Sequence, residues 1–388
     1  MFLNLFQKTP LAWHQLTKQK ARLAVAIAGI AFADLLMFVQ LAFQNALYDS
    51  AIKPLRSLKA DLVLISPQFQ SLFSVKSFSR ERLYQVLAYD GVKSVNSVYI
   101  GMGQWRNPET RIERPILVWG VDPAEPSFNL PEVNQNLDHL KILNQMLFDL
   151  ASRPEYGNIA DAFTTTGTFK TEVNGKGIRI NGVFNLGASF AADGNVITSD
   201  STFLSLFNER QPDEIEVGLI HLEPGVNVAQ IQAQLKAGLP QDVRVLTVEE
   251  FAQVEKSYWE SGTPIGFIFG IGVVMGFIVG IVIVYQILYT DVSDHLPEYA
   301  TLKAMGYSDR YLLIMLMQEA FLLAVFGYLP GFILSVGLYH LTYVATMLPI
   351  SMTVSRAINV FILTLIMCFL SGAIAIRKLQ SADPADIF

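Results

Sequence analysis

Charged side chains are in short supply in this sequence: Asp, Glu, Lys and Arg make up 16% of its 388 residues, while 52% are apolar. An average soluble domain is roughly a quarter charged, so a chain folded wholly in water is excluded and long stretches must be shielded from it. Cysteine is all but missing. The single Cys368 rules out an intrachain disulfide, and its apolar neighbours fit a small packing residue better than a reactive thiol. The five histidines (His14, His139, His221, His295 and His340) are scattered, without the HExxH or paired spacing of a metal site. There is no G-x-S-x-G elbow and no G-x-x-x-x-G-K-[ST] phosphate loop. Gly175-Lys176-Gly177 lacks both the upstream glycine and the hydroxyl residue. We therefore expect no catalytic residue, no metal and no cofactor in this chain, with any ATP bound elsewhere. A net charge of −6 also leaves no basic footprint for nucleic acid.

What the sequence does hold is long apolar runs. A membrane span needs about 20 such residues, and four runs qualify: 23–43, 264–289, 312–341 and 358–376. Lys8, Lys18, Lys20 and Arg22 precede the first, with no acid before Asp34, which places the N-terminus in the cytoplasm. The first run is longer than a signal-peptide core, and no small-x-small cleavage site follows Phe43, so an uncleaved anchor is expected. Four crossings return the C-terminus inside, consistent with Arg377 and Lys378 after the last run. The expected order is an amphipathic entry helix (1–22), the first span, a large outer domain (44–263) and the second span. A cytosolic loop (290–311), the third span, a periplasmic loop (342–357), the fourth span and a cytosolic tail (377–388) follow. The fold class is thus a four-helix membrane protein with an α/β (α+β) periplasmic domain inserted between the first two helices, in a bacterial inner membrane. In the third span, Pro330 between Gly327 and Gly331 marks a place to bend.

Gly266, Gly270, Gly272, Gly276 and Gly280 of the second span fall within an arc of roughly 160° at 100° per residue. Such a stripe lets another backbone approach, either the first span or a second copy of the chain. Two acids lie within apolar runs. Asp34 reads as a hydrogen-bonded packing residue, with proton coupling as the sharper alternative. Glu319 reads as structural, within reach of Arg310 or Arg377.

The outer domain begins with the short run Asp61–Ser66 and a helix expected from a Ser79 cap to a Gly91 stop. Two strand-like runs, VNSVYIG and RPILVWGVD, follow. A second strand–helix–strand unit is EIEVGLIHLEPG, NVAQIQAQLKAGLP and VRVLTV. Between the two units lies an irregular insert, about 129–210, with an expected helix LDHLKILNQMLFDLA and expected turns at Asn174-Gly175 and Asn181-Gly182. The insert makes the domain bipartite. Thr247 to Glu250 reads as a capping box for a helix to about Glu260, expected to run almost directly into the second span as a semi-continuous rod.

The loop between the second and third spans reads HLPEYATLKAMGYSDRYLL. Pro297 suits a first helical turn and Gly306 a stop, leaving a helix of two or three turns with Tyr299, Leu302 and Met305 along one side. A helix that short is marginal in water alone, so its stripe calls for a partner groove, unless it lies flat on the membrane. EYATLKAMG (Glu298 to Gly306, including Lys303) resembles the E-I-G-x-x-[KR]-A-[ILM]-G coupling helix of FtsX/MacB-type ABC transporter permeases. Gln318-Glu319-Ala320 with Gly327 and Gly331, Ala382-Asp383-Pro384-Ala385, and the N-terminal LAWHQLTKQKARLAVAIAGIAFA are similar to other ordered segments of that family. Where the family has a basic residue before its E-I-G, Leu296-Pro297 stands here. The tyrosine-containing EYATLKAMGY is most similar to the cyanobacterial DevC-type branch. The resemblance implies a non-catalytic permease, dimeric, whose coupling helix docks on an ABC ATPase subunit. It further implies a membrane-fusion adaptor, a TolC-like outer-membrane duct and a glycolipid or other hydrophobic cargo. Family members that activate cell-wall hydrolases without transport, or that extract lipoproteins, are the alternatives.

Overall fold

The computed structural model describes residues 20–189, 192–346 and 348–380. The chain divides into a helical unit (Met1–Asn45, Ile265–Val344, Ile350–Phe388) and an inserted unit (Ala46–Pro264, Ala345–Pro349). Of the expected entry helix, residues 1–19 lie outside the described residues, as do Ala382 to Ala385.

Four helices are long and apolar enough to cross a membrane: Lys20–Arg56, Pro264–Asp294, Arg310–Thr346 and Val354–Ile376. The third belongs to an α-helix Asp309–Thr346 that carries Pro330 inside it without interruption. At Pro330, expected as a place to bend, the helix continues unbroken, with packing against the first span on both sides of the proline. A Cβ at Gly327 would meet Ile30 at 2.5 Å, and one at Gly331 would meet the Ala31 carbonyl at 3.1 Å. The loss of one backbone bond is tolerable where a neighbouring helix supports the chain this closely.

The glycine stripe of the second span finds its partner within the chain. Gly272 is covered by Gln40, Gly276 faces Met37 and the Ala33 carbonyl oxygen, and Gly280 faces Ala33 and Met367. Gly270 meets nothing within 4 Å. Of the two readings of the stripe, the first span therefore takes Gly272 to Gly280, and Met367 of the fourth span closes the end of the seam. The buried cluster around this seam includes Ala26, Ile30, Ala33, Val284, Leu288, Leu323, Ala324 and Cys368.

The inserted unit is built on a nine-stranded sheet in the order β11-β1-β10-β3-β4-β8-β5-β7-β6. Its strands are β1 Leu62–Ile65, β3 Val92–Arg106, β4 Glu113–Val121, β5 Gln145–Asp149, β6 Phe169–Val173, β7 Lys176–Phe184, β8 Asn195–Ser199, β10 Val217–Leu222 and β11 Arg244–Thr247. A separate two-stranded ladder pairs β2 (Phe78–Ser79) with β9 (Glu214–Ile215). Strands β1, β3, β10 and β11, with helices Glu81–Val86 and Val228–Gly238, form a split β-α-β unit in the antiparallel order β11-β1-β10-β3. The other strands are inserted between β3 and β10. Long β3 serves both parts, and it also pairs with β6 through Trp105 and Arg106, closing the inserted strands back on themselves.

Both faces of the sheet are covered, which explains continuous apolar runs in place of alternation. In β1, Leu62 and Leu64 enter one buried cluster, while Val63 and Ile65 enter the other. Where sequence periodicity misled, the sheet is the cause. LDHLKILNQMLFDLA is not one helix: only Leu137–Leu140 is helical, and it gives way to β5, whose residues are all buried. Asn174-Gly175 is a turn with φ of 49° and 73°. Asn181-Gly182 instead lies inside β7 at a register shift against β5, where a Cβ on Gly182 would stand 2.7 Å from Leu147. The helix expected from Ser79 to Gly91 is only Glu81–Val86.

The Thr247–Glu250 capping box forms in both directions and starts the helix Val248–Ser257. The expected rod is nevertheless broken. A π-helical turn, Tyr258–Gly262, follows the helix, and Thr263 is extended (φ −126°, ψ 156°) before Pro264.

Candidate functional site

Helix Leu296–Ala304 lies between the second and third spans, with Pro297 in its first turn. At its end Gly306 adopts φ 95°, which a side chain would resist. Tyr307 N–H then donates to the Leu302 carbonyl and Gly306 N–H to that of Lys303, a Schellman stop. Pro297 and Gly306 thus set the two ends of the helix by backbone conformation.

The apolar side of the helix is not the exposed one. Tyr299 is 2% exposed and belongs to the buried cluster of the helical unit, and Leu296 and Leu302 pack against that cluster. The expectation that Tyr299, Leu302 and Met305 together present a docking stripe is corrected: the first two anchor the helix to the spans. The face left open carries Glu298, Thr301, Ala304 and Met305, followed by Gly306 and Tyr307, with Met305 63% exposed. Lys303 is half-buried. The anchoring supplies what a helix of this length lacks in isolation.

Beneath the anchor is a charged cluster. The Arg22 guanidinium, from the first span, donates to Asp294 at 2.9 Å and to the Ile287 carbonyl, and stands 3.7 Å from Asp291. His295 Nδ1 lies 3.6 Å from the Asp291 carboxylate. Glu319, from the third span and 2% exposed, has its side chain against Asp291 within hydrogen-bonding reach. Glu319 therefore meets Asp291 and the Arg22 charge, where Arg310 or Arg377 was expected. The Arg377 side chain lies outside what is described. Asp291 and His295 had no recognised role in sequence. Their four-residue spacing at the end of an apolar run, with Arg22 at the start of another, is the signal that was there to find.

Asp34 is fully buried. Its Oδ1 accepts a 2.6 Å hydrogen bond from Thr364, and its Oδ2 has no partner. A Cβ at Gly331 would stand 2.9 Å from the Asp34 Cβ, so the acid sits in the contact between three spans. Asp34 is thus hydrogen-bonded through one carboxyl oxygen. Among the described residues no group of three or more His, Cys, Asp or Glu is placed to hold a metal ion.

The inserted unit holds two further buried acids. Glu255, in helix Val248–Ser257, accepts from the Leu72 amide at 2.7 Å and from Trp259 Nε1 at 2.8 Å. Burial raises its pKa to about 7 against those bonds. Glu216 accepts from the Ile100 amide and pairs with Arg210 at 3.0 Å, and burial again raises its pKa to about 7.

Residues 267–384 match the family described as FtsX-like permease C-terminal. No curated protein matches the chain. Among solved structures, the chain is similar to the periplasmic region of MacB from Actinobacillus actinomycetemcomitans, at 13% identity and TM-score 0.34, over 51% of this chain and 94% of that one. It is also similar to the extracellular domain of the noncanonic ABC-type transporter YknZ from Gram-positive bacteria, at 14% identity and TM-score 0.32, covering 48% and 99%. A domain of a putative permease from Porphyromonas gingivalis matches at 14% identity and TM-score 0.32, covering 48% and 89%.

Proposed function

We propose, from the premise that residues 267–384 are an FtsX-like permease C-terminal domain, that this chain is the membrane subunit of an ABC exporter and that helix Leu296–Ala304 is its coupling helix. The observation that carries this reading is the division of labour around the helix. Tyr299 and Leu302 hold it to the spans, while Glu298, Thr301 and Met305 face outward. A helix rigidly fastened on one side and open on the other can pass a push from a docked partner into the bundle. The Arg22–Asp291–Glu319 cluster lies directly beneath it and joins three spans, so the push reaches each of them. A separate ATPase binds and hydrolyses ATP, and this chain performs no chemistry of its own.

In this reading two copies work together in a bacterial inner membrane, with both termini cytoplasmic and the inserted unit in the periplasm. Movement of that unit, in concert with a membrane-fusion adaptor and a TolC-like duct, expels a hydrophobic cargo such as the glycolipid of the DevC-type branch. The two-part build of the inserted unit, with strands looped out between β3 and β10, supports an adaptor-linked exporter over a hydrolase regulator. Met305→Asp tests the coupling assignment in the reconstituted permease–ATPase complex. We expect cargo-stimulated ATP hydrolysis to fall at least about ten-fold, as for a central interface residue, with unchanged permease stability. Full stimulation in this variant rejects the coupling helix. Lipid mass spectrometry of cells lacking the gene then identifies the cargo, and an unaltered lipid profile rejects lipid export.

A further inference from the structure

At the end of the bundle opposite helix Leu296–Ala304, the close of the third span and the segment before the fourth surround a hollow of about 340 Å³. Its walls include Val336, Tyr339, His340, Tyr343, Ser351 and Met352. Behind two of those walls sits Arg356, in the first turn of helix Val354–Gln380 and only 6% exposed. Its guanidinium donates to the Ser351 carbonyl at 2.7 Å, bonds the Tyr339 hydroxyl and stacks 5.5 Å from the Tyr339 ring centroid. Its Nε has no partner, and among the described residues no carboxylate forms an ion pair with it. Tyr339 is itself fixed by donating to the Phe38 carbonyl at 2.6 Å.

A buried guanidinium held only by a carbonyl, a hydroxyl and a ring keeps its full charge uncompensated, and such a charge is costly unless an anion completes it. The fourth-span helix begins here, with Thr353 Oγ1 accepting from the Arg356 amide, and the positive end of its dipole adds to the guanidinium. Tyr343, 47% exposed, and Tyr339 lie near the end of an apolar span, the kind of position at which tyrosines anchor at the headgroup level of a bilayer. Val336 and Met352 add apolar wall beside the polar groups. The anions present at that level are lipid phosphates.

We propose that this hollow is a binding site for the phosphate of an anionic phospholipid headgroup, with Arg356 as its counter-charge. The site is separate from the coupling helix and does not depend on what the protein exports. A bound headgroup ties the third span to the fourth at their shared end and compensates the Arg356 charge. In this role the lipid is a structural ligand.

The test uses the purified full-length chain in detergent, titrated with short-chain phosphatidylglycerol, short-chain phosphatidylcholine or inorganic phosphate. Both lipids carry the phosphate, but the quaternary ammonium of phosphatidylcholine brings a second positive charge up to Arg356, so wild type is expected to bind phosphatidylglycerol about ten-fold more tightly. Arg356→Lys keeps most of that preference and Arg356→Gln abolishes it. Because Arg356→Gln removes buried bonds, His340→Asp supplies a second variant at an exposed wall position, where an added negative charge is expected to weaken the preference without unfolding the chain. Equal affinity of wild type for the two lipids overturns the proposal, as does a preference that survives both Arg356→Gln and His340→Asp. Inorganic phosphate binding as tightly as phosphatidylglycerol overturns the lipid source.

Discussion

A Cβ added at Gly280 would stand 3.0 Å from the Ala33 Cβ and press on Met367, whereas one at Gly270 would meet nothing within 4 Å. Two glycines on one helix thus have opposite tolerances. Gly280→Leu is expected to destabilise the helical unit by about 1–3 kcal/mol, the usual cost of overpacking, and Gly270→Ala by none that thermal unfolding in detergent resolves. At Asp34 the single hydrogen bond from Thr364 is one that an amide oxygen accepts equally well. If the protein exports cargo as proposed, Asp34→Asn should preserve both the melting temperature and export, and loss of export with an intact fold would favour proton coupling. Glu255 gives a pH signature. Its folded pKa of about 7 lies above the ordinary carboxyl value, so its favourable contribution is complete below about pH 4.5 and is lost as pH rises through 7. A shift of that size is worth about 3 kcal/mol. The inserted unit should melt at a lower temperature at pH 8 than at pH 5, and Glu255→Gln should reduce that slope, with Glu216 supplying the remainder, when unfolding is followed by tryptophan fluorescence.

At the scale of whole elements, helix Leu296–Ala304 shows how much of a site is legible in sequence. Pro297 and Gly306 mark its ends because each carries a backbone constraint that acts locally. The side it buries was not legible, because Tyr299 and Met305 are both bulky side chains with a large apolar part and only the neighbouring spans distinguish them. A similar limit applies to Gln145–Asp149, whose sequence fits a helix in isolation and is drawn into β5 by partners on both sides. The capping box at Thr247 was legible, since both of its bonds lie within one turn. The extended Thr263 that ends the continuation was not. Thr263→Ala removes a hydroxyl that donates to the Trp259 carbonyl at 3.1 Å and should lower unfolding stability by about 0.5–1.5 kcal/mol, read by thermal melting.

Across the molecule, the charged cluster is where distant segments depend on one another. Arg22 stands among Asp291, Asp294 and Glu319, which come from two other spans. Arg22→Gln removes the guanidinium from these acids, and because Arg22 and Asp294 are partly exposed the loss is expected at about 1–3 kcal/mol, the scale of hydrogen bonds to charged groups. Adding Glu319→Gln removes one of the stranded acids. The double variant should recover part of the lost melting temperature, and strict additivity of the two losses would show that the groups do not interact.

The sequence by itself determined the elements whose causes are local or compositional. The apolar runs define four spans, the proline and glycine define the short helix, and scarce charge excludes a wholly soluble chain, because each follows from solvation or backbone conformation within one segment. Only the tertiary structure decided the partners. It gave Gly272, Gly276 and Gly280 to the first span, set Glu319 against Asp291, turned Tyr299 inward and Met305 outward, and left Arg356 buried without an acid. Each of these depends on residues tens to hundreds of positions away, and burial is a property of the packed neighbours that no single segment carries.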